Sequence, residues 1–304
     1  MSSRIALGVV GLGPDWAKSV GSRLGANPRV RVGAVYDFSY AHSQAVARPL
    51  QLRPSGAASR LIGMKGLRGI ICCSLGWRPG IVGTLVDSGK PVFLSEHALE
   101  GLPVDLGPLL AKIEETGGIV CPDLSWRYTP ATLRLRELMA IQLGPCVEIR
   151  ISLPETGRHL LPAMFDWCRV LTGSRTCPAP QRSGGALLID LGRAVARITC
   201  HAAPAKALDP VEPSGAPPAA AADNDPNWII QCERGVAILR GEHEIEWSTG
   251  DDSRTESLVD DRPRLDVNLD LFLRRVVGGL VPAPTLAEWH MAREAARGAF
   301  GVRG

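Results

Sequence analysis

The chain has 304 residues, 45% of them apolar, enough for two domains with substantial cores and too many for a disordered or fibrous chain. A net charge of +3 is too small for a nucleic-acid surface, and no apolar run approaches the roughly 20 residues of a membrane-spanning helix. Eight cysteines without a C-x-x-C pair, and an N-terminus without a secretory signal, point to a cytoplasmic protein with reduced core thiols, while the six histidines lack ligand spacing and predict no metal site.

The first apolar run, Ile5 to Val10, has the composition of a strand buried on both faces. Gly11-Leu12-Gly13 follows, and a helical segment begins near Asp15 and runs from about Trp16 to Leu24. Strand, glycine turn and helix start make the order of a phosphate-binding βα unit, in which Gly11 permits the tight turn and Gly13 lets backbone approach a pyrophosphate. Trp16 stands where a third glycine of G-x-G-x-x-G would be. The next run, Val30 to Tyr36, ends in Asp37, an acid at the end of a second strand. Such a carboxylate accepts from a ribose 2′-hydroxyl and repels a 2′-phosphate, so NAD is expected over NADP. Asp37 as the cap of the following helix is the competing reading.

Helical segments then alternate with buried strands at Gly69 to Ser74, Lys90 to Ser95 and Ile119 to Cys121. The βαβ rhythm predicts a parallel, doubly wound sheet over residues 1–122, with Ser74 and Leu75 at its carboxyl edge, where ligands bind in open α/β sheets. Beyond residue 122 the pattern changes. Thr129 to Ala140 and Leu160 to Leu171 are helical, and Val147 to Leu153 alternates apolar and polar residues as a strand with one wet face does. Further strands are expected at Ala186 to Leu191, Ala194 to His201, Trp228 to Cys232, Val236 to Leu239 and Glu244 to Ser248, with closing helices at Asp266 to Val277 and Leu286 to Phe300. The Ala- and Pro-rich stretch 202–226 reads as a mobile surface loop. Residues 123–304 thus form an α+β domain with a mostly antiparallel sheet.

Four stretches resemble the Gfo/Idh/MocA oxidoreductases, the glucose–fructose oxidoreductase and inositol dehydrogenase group. They are Gly8 to Gly13 with Trp16, Leu85 to Val92, Trp126-Arg127-Tyr128-Thr129-Pro130-Ala131, and Phe165 to Gly173; the closing segment Gly278 to Leu286 is also similar. The resemblance implies an N-terminal Rossmann domain, a substrate and dimerisation domain behind it, and NAD(P)-dependent hydride transfer on a sugar, polyol or related hydroxy compound. It also implies a homo-oligomer formed through the C-terminal sheet, with Trp228, Ile230, Ile245 and Trp247 as candidate contacts or core residues.

The departures lie where that family keeps its chemistry. Its Glu-Lys-Pro lysine aligns with His97 if the preceding strand holds one extra residue, and with Glu96 if it does not; Lys90 is too far back in the strand. Its His-x-x-Asp pair meets Ala163 and Asp166. The candidate catalytic residues are therefore His97, as a base in place of lysine, and Asp166, orienting substrate or base; an ion pair of Asp166 with Arg169 or Arg127 is the structural alternative. Candidate cofactor contacts are Gly11, Leu12, Gly13, Pro14, Asp15 and Trp16 of the turn, with Asp37, Ser74, Leu75 and Glu96. A nucleotide-binding pseudo-enzyme, acting as a sensor or assembly subunit, is the alternative that the missing lysine and histidine suggest.

Overall fold

The computed structural model describes residues 4–13, 15–76, 78, 80–201 and 227–299. The predicted loop at 202–226 and Pro14 lie outside the described residues. Two compact units are present. The first runs to Ser125 and resumes over Pro263–His290; the second takes Trp126–Arg262 and resumes at Met291.

In the first unit the elements run β1 (Ile5–Val10), a π-helical turn at Trp16–Val20 leading into α1 (Gly21–Ala26), β2 (Val30–Tyr36), α2 (Tyr40–Ala47) and α3 (Ala58–Ile62). They continue with β3 (Gly69–Cys72), α4 (Ile81–Asp87), β4 (Val92–Leu94), α5 (Glu96–Glu100), α6 (Gly107–Thr116) and β5 (Val120–Pro122). Among the described residues the strands form a five-stranded sheet in the order β2-β1-β3-β4-β5, every pairing parallel. Parallel strands need crossover helices, and these cover both faces, which is why β1, β3, β4 and β5 read as unbroken apolar runs, while β2 at the sheet edge carries the exposed Arg31. Successive residues of β1 serve opposite layers. Ala6 and Val10 pack with Leu61, Val82, Leu85 and Leu99, while Leu7 and Val9 pack with Leu24, Ala47 and Phe272.

Phe272 belongs to a late helix, labelled with the C-terminal elements below, that the pattern reading assigned to the second domain. It instead completes the first unit: Leu269, Phe272, Leu273 and Val276 bury against the sheet, with the Phe272 and Phe93 rings 5.6 Å apart. Apolar residues three and four apart give that helix one greasy face, but nothing local says which sheet it covers.

The second unit continues with α7 (Pro130–Leu138), β6 (Cys146–Pro154), α8 (Leu161–Thr172), β7 (Gln181–Ser183), β8 (Ala186–Asp190), β9 (Val195–His201), β10 (Asn227–Cys232), β11 (Gly235–Arg240), β12 (Glu244–Thr249) and β13 (Asp252–Ser257). The chain then returns through α9 (Arg264–Val276), the helix bearing Phe272, and ends in α10 (Leu286–Gly298), whose last turns join the second unit. Among the described residues its sheet has eight strands in the order β13-β12-β11-β10-β6-β9-β8-β7. All pairs are antiparallel except β6 with β9. β7 and β13 lack any apolar alternation, being almost wholly exposed, so only pairing to a neighbouring strand defines them.

One face of this sheet packs on α7, α8 and the end of α10. That face carries Trp228, Ile230, Ile245 and Trp247, all buried. Of the two roles open for these four, contact with another subunit or core packing, all take the core role, and the open face instead shows Val147, Val195 and Ile229 among charged residues. Period-two alternation says that two faces differ, and only the helices decide which is inside. No helix among the described residues is long and apolar enough to cross a membrane. Phe272→Ala is expected to cost about 3–5 kcal/mol of stability in urea denaturation, the penalty of an emptied aromatic core site.

Candidate functional site

In the order β2-β1-β3-β4-β5 the chain leaves β1 for one side, returns, and continues on the other, so the topological switch point lies between β1 and β3. The segments after these two strands meet there. Gly11 has φ +68°, and a Cβ on it would lie 2.0 Å from the Ser74 carbonyl oxygen, so both the left-handed backbone and the close approach demand glycine. A Cβ on Gly13 would lie 2.9 Å from Ser74 Cβ and 3.1 Å from His97 Cδ2. The glycine turn thus packs directly on the end of β3 and beside the start of α5.

Asp37 holds this turn in place. Its Oδ2 accepts from the Leu12 N–H at 2.6 Å and its Oδ1 from the Ser39 N–H at 2.8 Å, with His42 Nδ1 at 3.6 Å from Oδ1. The cap of α2 is Ser39, whose hydroxyl accepts from the His42 N–H. So the helix-cap reading of Asp37 gives way to a carboxylate that bridges β2 to the turn after β1. Each oxygen keeps lone-pair capacity for a hydroxyl donor.

Asp15 and Ser95 organise α5. Asp15 Oδ2 accepts from the His97 N–H at 2.9 Å. Ser95 Oγ donates to the Cys73 carbonyl at 3.1 Å and accepts from the Ala98 N–H at 3.4 Å. The first turn of α5 is therefore capped by two side chains, one reaching over from the glycine turn. This sets the His97 ring beside Gly13, with the Cδ2 edge turned toward it and Nδ1 3.3 Å from Glu100 Oε2. Glu100 was legible as a partner, being three residues on from His97 in one helix. Asp15 was not legible as a cap, since 82 residues separate donor and acceptor.

Several expected contacts have other duties. The Leu12 and Leu75 side chains are core residues, each 1% exposed, so these positions offer backbone alone. Trp16 folds back on its own helix: a Cβ on Gly21 would lie 3.0 Å from the Trp16 ring. Glu96 is half-buried in the first turn of α5. Cys72 and Cys73, which close β3, supply no nucleophile: burial pushes the Cys72 thiol up to about 12 and the Cys73 thiol well above its ordinary 9.0.

Asp166 lies in the second unit, on α8, and is 1% exposed. The Arg127 guanidinium grips it bidentately, Nε to Oδ2 and Nη2 to Oδ1, both at 2.6 Å, and Arg169 Nη2 adds a bond to Oδ1 at 3.0 Å. The ion-pair alternative describes its geometry. Nearby, Thr129 caps α7 by accepting from the Thr132 N–H, and the Trp167 indole donates to the Thr132 hydroxyl at 2.9 Å. The Trp126, Trp228 and Trp167 rings contact in sequence, centroids 5.3 and 4.8 Å apart, the first pair tilted by 43° and the second edge-on at 60°. The Arg127 to Ala131 segment is thus a structural anchor in this chain.

No family model and no curated protein matches the sequence. Solved structures do match the fold. A dehydrogenase from Clostridium difficile superposes with a TM-score of 0.73 at 12% identity, covering 96% of this chain and 97% of that one. A UDP-N-acetylglucosamine 3-dehydrogenase from Acidithiobacillus ferrooxidans gives 0.73 at 13% identity, covering 97% and 96%. The fold is the one these dehydrogenases share. It comprises a Rossmann-like parallel sheet and a mostly antiparallel second sheet, over nearly the full length of both chains.

Asp166→Ala takes the shared carboxylate from two buried guanidiniums, and an expected loss of about 3–5 kcal/mol in urea denaturation follows. A cost under 1 kcal/mol would show that the carboxylate is not the anchor of this cluster.

Proposed function

We propose that this chain is a nicotinamide-dependent oxidoreductase of the Gfo/Idh/MocA type, acting on a carbohydrate-like hydroxy compound in a reducing compartment. The observation that carries this reading is the glycine turn at the switch point, clamped by Asp37 and flanked by an imidazole from the end of β4. The residues fit a dinucleotide. The close-packed glycines leave backbone, and no side chain, on the turn, and the Asp37 carboxylate retains acceptor capacity for ribose hydroxyls. Its charge at the end of β2 supports NAD over NADP. Asp15 adds negative charge beside the turn, and its engagement with the His97 N–H directs one oxygen away from any phosphate.

NAD, when bound, supplies the hydride acceptor. The chain's own part is to take the hydroxyl proton. With Nδ1–H donating to the Glu100 carboxylate, the His97 Nε2 lone pair is left to accept that proton. Glu100 is the orienting partner, and the 3.3 Å contact is half-exposed, so it sets tautomer more than affinity. Eight free cysteines, six of them buried, support the reducing compartment. Asp166 is assigned to the Arg127–Arg169 anchor and takes no part in proton transfer.

Fluorescence titration with NADH and NADPH is expected to give saturable binding that favours NADH. A screen of polyols, sugars and UDP-N-acetylglucosamine should then reveal NAD reduction. His97→Ala is expected to lower kcat by roughly 100-fold or more, as loss of a general base does, with NADH affinity kept. Turnover unchanged by this substitution removes His97 from the mechanism, and absence of NADH binding removes the reading as a whole. The second reading, a nucleotide-binding pseudo-enzyme, is favoured by the sequestration of Asp166 together with the missing lysine. Under it NADH binds and no substrate turns over.

We also propose a homo-oligomer through the open face of the second sheet. Across that face β9, β6, β10, β11 and β12 align Arg197, Arg150, Ile229, Ile238 and Glu246 in one row, with Arg150 paired to Glu148 and Glu246 to Arg240, so that basic and acidic groups flank a central apolar pair. A two-fold axis near Ile229 and Ile238 sets opposite charges against each other. Light scattering is expected to give twice the chain mass, and Ile229→Glu is expected to return it to one.

A further inference from the structure

Parallel strands gather their starts as well as their ends at one edge of the sheet. At the amino edge of the first sheet every strand start near the centre carries arginine. Arg4 precedes β1, Arg29 and Arg31 flank the first residue of β2, and Arg68 precedes β3. Arg274 of α9 joins them, and the five guanidinium-bearing residues line one cavity of about 760 Å³. Its remaining wall is largely apolar, including Ile5 and Leu273.

The charges here are poorly compensated. Asp270 of α9 pairs with Arg29 and, at 3.0 Å, with Arg274. Arg4, Arg31 and Arg68 have no acidic partner among the described residues. Five guanidiniums against one carboxylate leave a surplus of four positive charges around a concave, partly apolar space. Holding like charges together without a counter-charge is unfavourable, and an anion that enters removes the penalty.

We propose that this cavity is a binding site for a polyphosphate group, a triphosphate or a short chain of linked phosphates. The guanidinium fork matches phosphate oxygens two at a time. Several linked phosphates carry enough charge to answer the surplus, whereas a single carboxylate or phosphate answers a fraction of it. The volume lies in the range of roughly 300–1,000 Å³ that small ligands occupy. The five arginines cluster around one concave space, which suits a compact anion better than a nucleic-acid backbone, which needs an extended track of contacts. The site is at the opposite edge of the sheet from the glycine turn, about 20 Å away along β1 at about 3.3 Å per residue, so it is independent of the proposed dinucleotide site. The apolar wall gives a nucleoside a surface on which to rest, so the same phosphate chemistry has two sources: inorganic tripolyphosphate and a nucleoside triphosphate.

Isothermal titration of the full chain at low ionic strength with tripolyphosphate and, separately, with ATP tests this. Saturable one-to-one binding is expected, weakened by added salt and not displaced by NADH. The tighter of the two ligands identifies the source. Arg31→Ala combined with Arg68→Ala is expected to weaken binding about tenfold or more, because both side chains are exposed and their loss leaves the fold intact. Arg175→Ala combined with Arg193→Ala removes the same charge from exposed positions in the second unit and is expected to leave binding unchanged. Arg31→Lys with Arg68→Lys, which retains charge and loses the fork, should fall between. Equal weakening by the two alanine pairs reduces the effect to net charge and overturns the site. So do competition by inorganic phosphate at equal concentration, preference for a DNA oligonucleotide or acidic peptide over both probes, and absence of binding.

Discussion

The hydrogen bond from the Leu12 N–H to Asp37 ties together the parts on which the first unit's edge depends. It joins the turn after β1 to the end of β2, while the glycines of that turn rest on the end of β3. A parallel sheet brings strand ends together but leaves the loops beyond them unspecified. Here a single carboxylate, 10% exposed at its side chain and bonded to two backbone donors, fixes the loop that a ligand would meet. Asp15 extends the same logic across the edge, carrying the turn's geometry to α5 and so to His97. The candidate base is thereby positioned by backbone hydrogen bonding, and the mobility of an exposed side chain enters only at the imidazole itself.

The second unit uses buried charge in a different way. Asp166 is 1% exposed and accepts from two arginines, where an unpaired charge would be costly. Three charges and their hydrogen bonds lock α8 to the segment before α7. A residue so fully engaged specifies packing.

The two edges of the first sheet carry opposite electrostatic character. Asp15, Asp37 and Glu100 gather at the carboxyl edge beside His97, while five arginines gather at the amino edge around a cavity. The strands separate these groups by the length of β1, so each edge presents its own field. The two proposed sites therefore fall at opposite edges of one sheet.

Much of this was legible in the residues. The apolar runs at Ile5–Val10 and Gly69–Cys72 and the glycine turn after the first determined a parallel sheet with a loop at its carboxyl edge, because burial on both faces requires unbroken apolar strands. The alternation in Cys146–Pro154 likewise determined a one-sided sheet. What stayed hidden was every decision made by distant partners. α9 covers the first sheet although it follows the second in sequence, and the tryptophans of β10 and β12 face helices instead of solvent. Asp166 meets Arg127 from 39 residues away, and Asp15 caps α5 from 82. The arginines before β1, β2 and β3 become one cluster only when the strands lie side by side. Periodicity and turn chemistry act between near neighbours and so belong to the sequence. The choice of face, the pairing of buried charges and the assembly of charges into a pocket belong to the tertiary structure, since they depend on which distant surfaces must exclude water together.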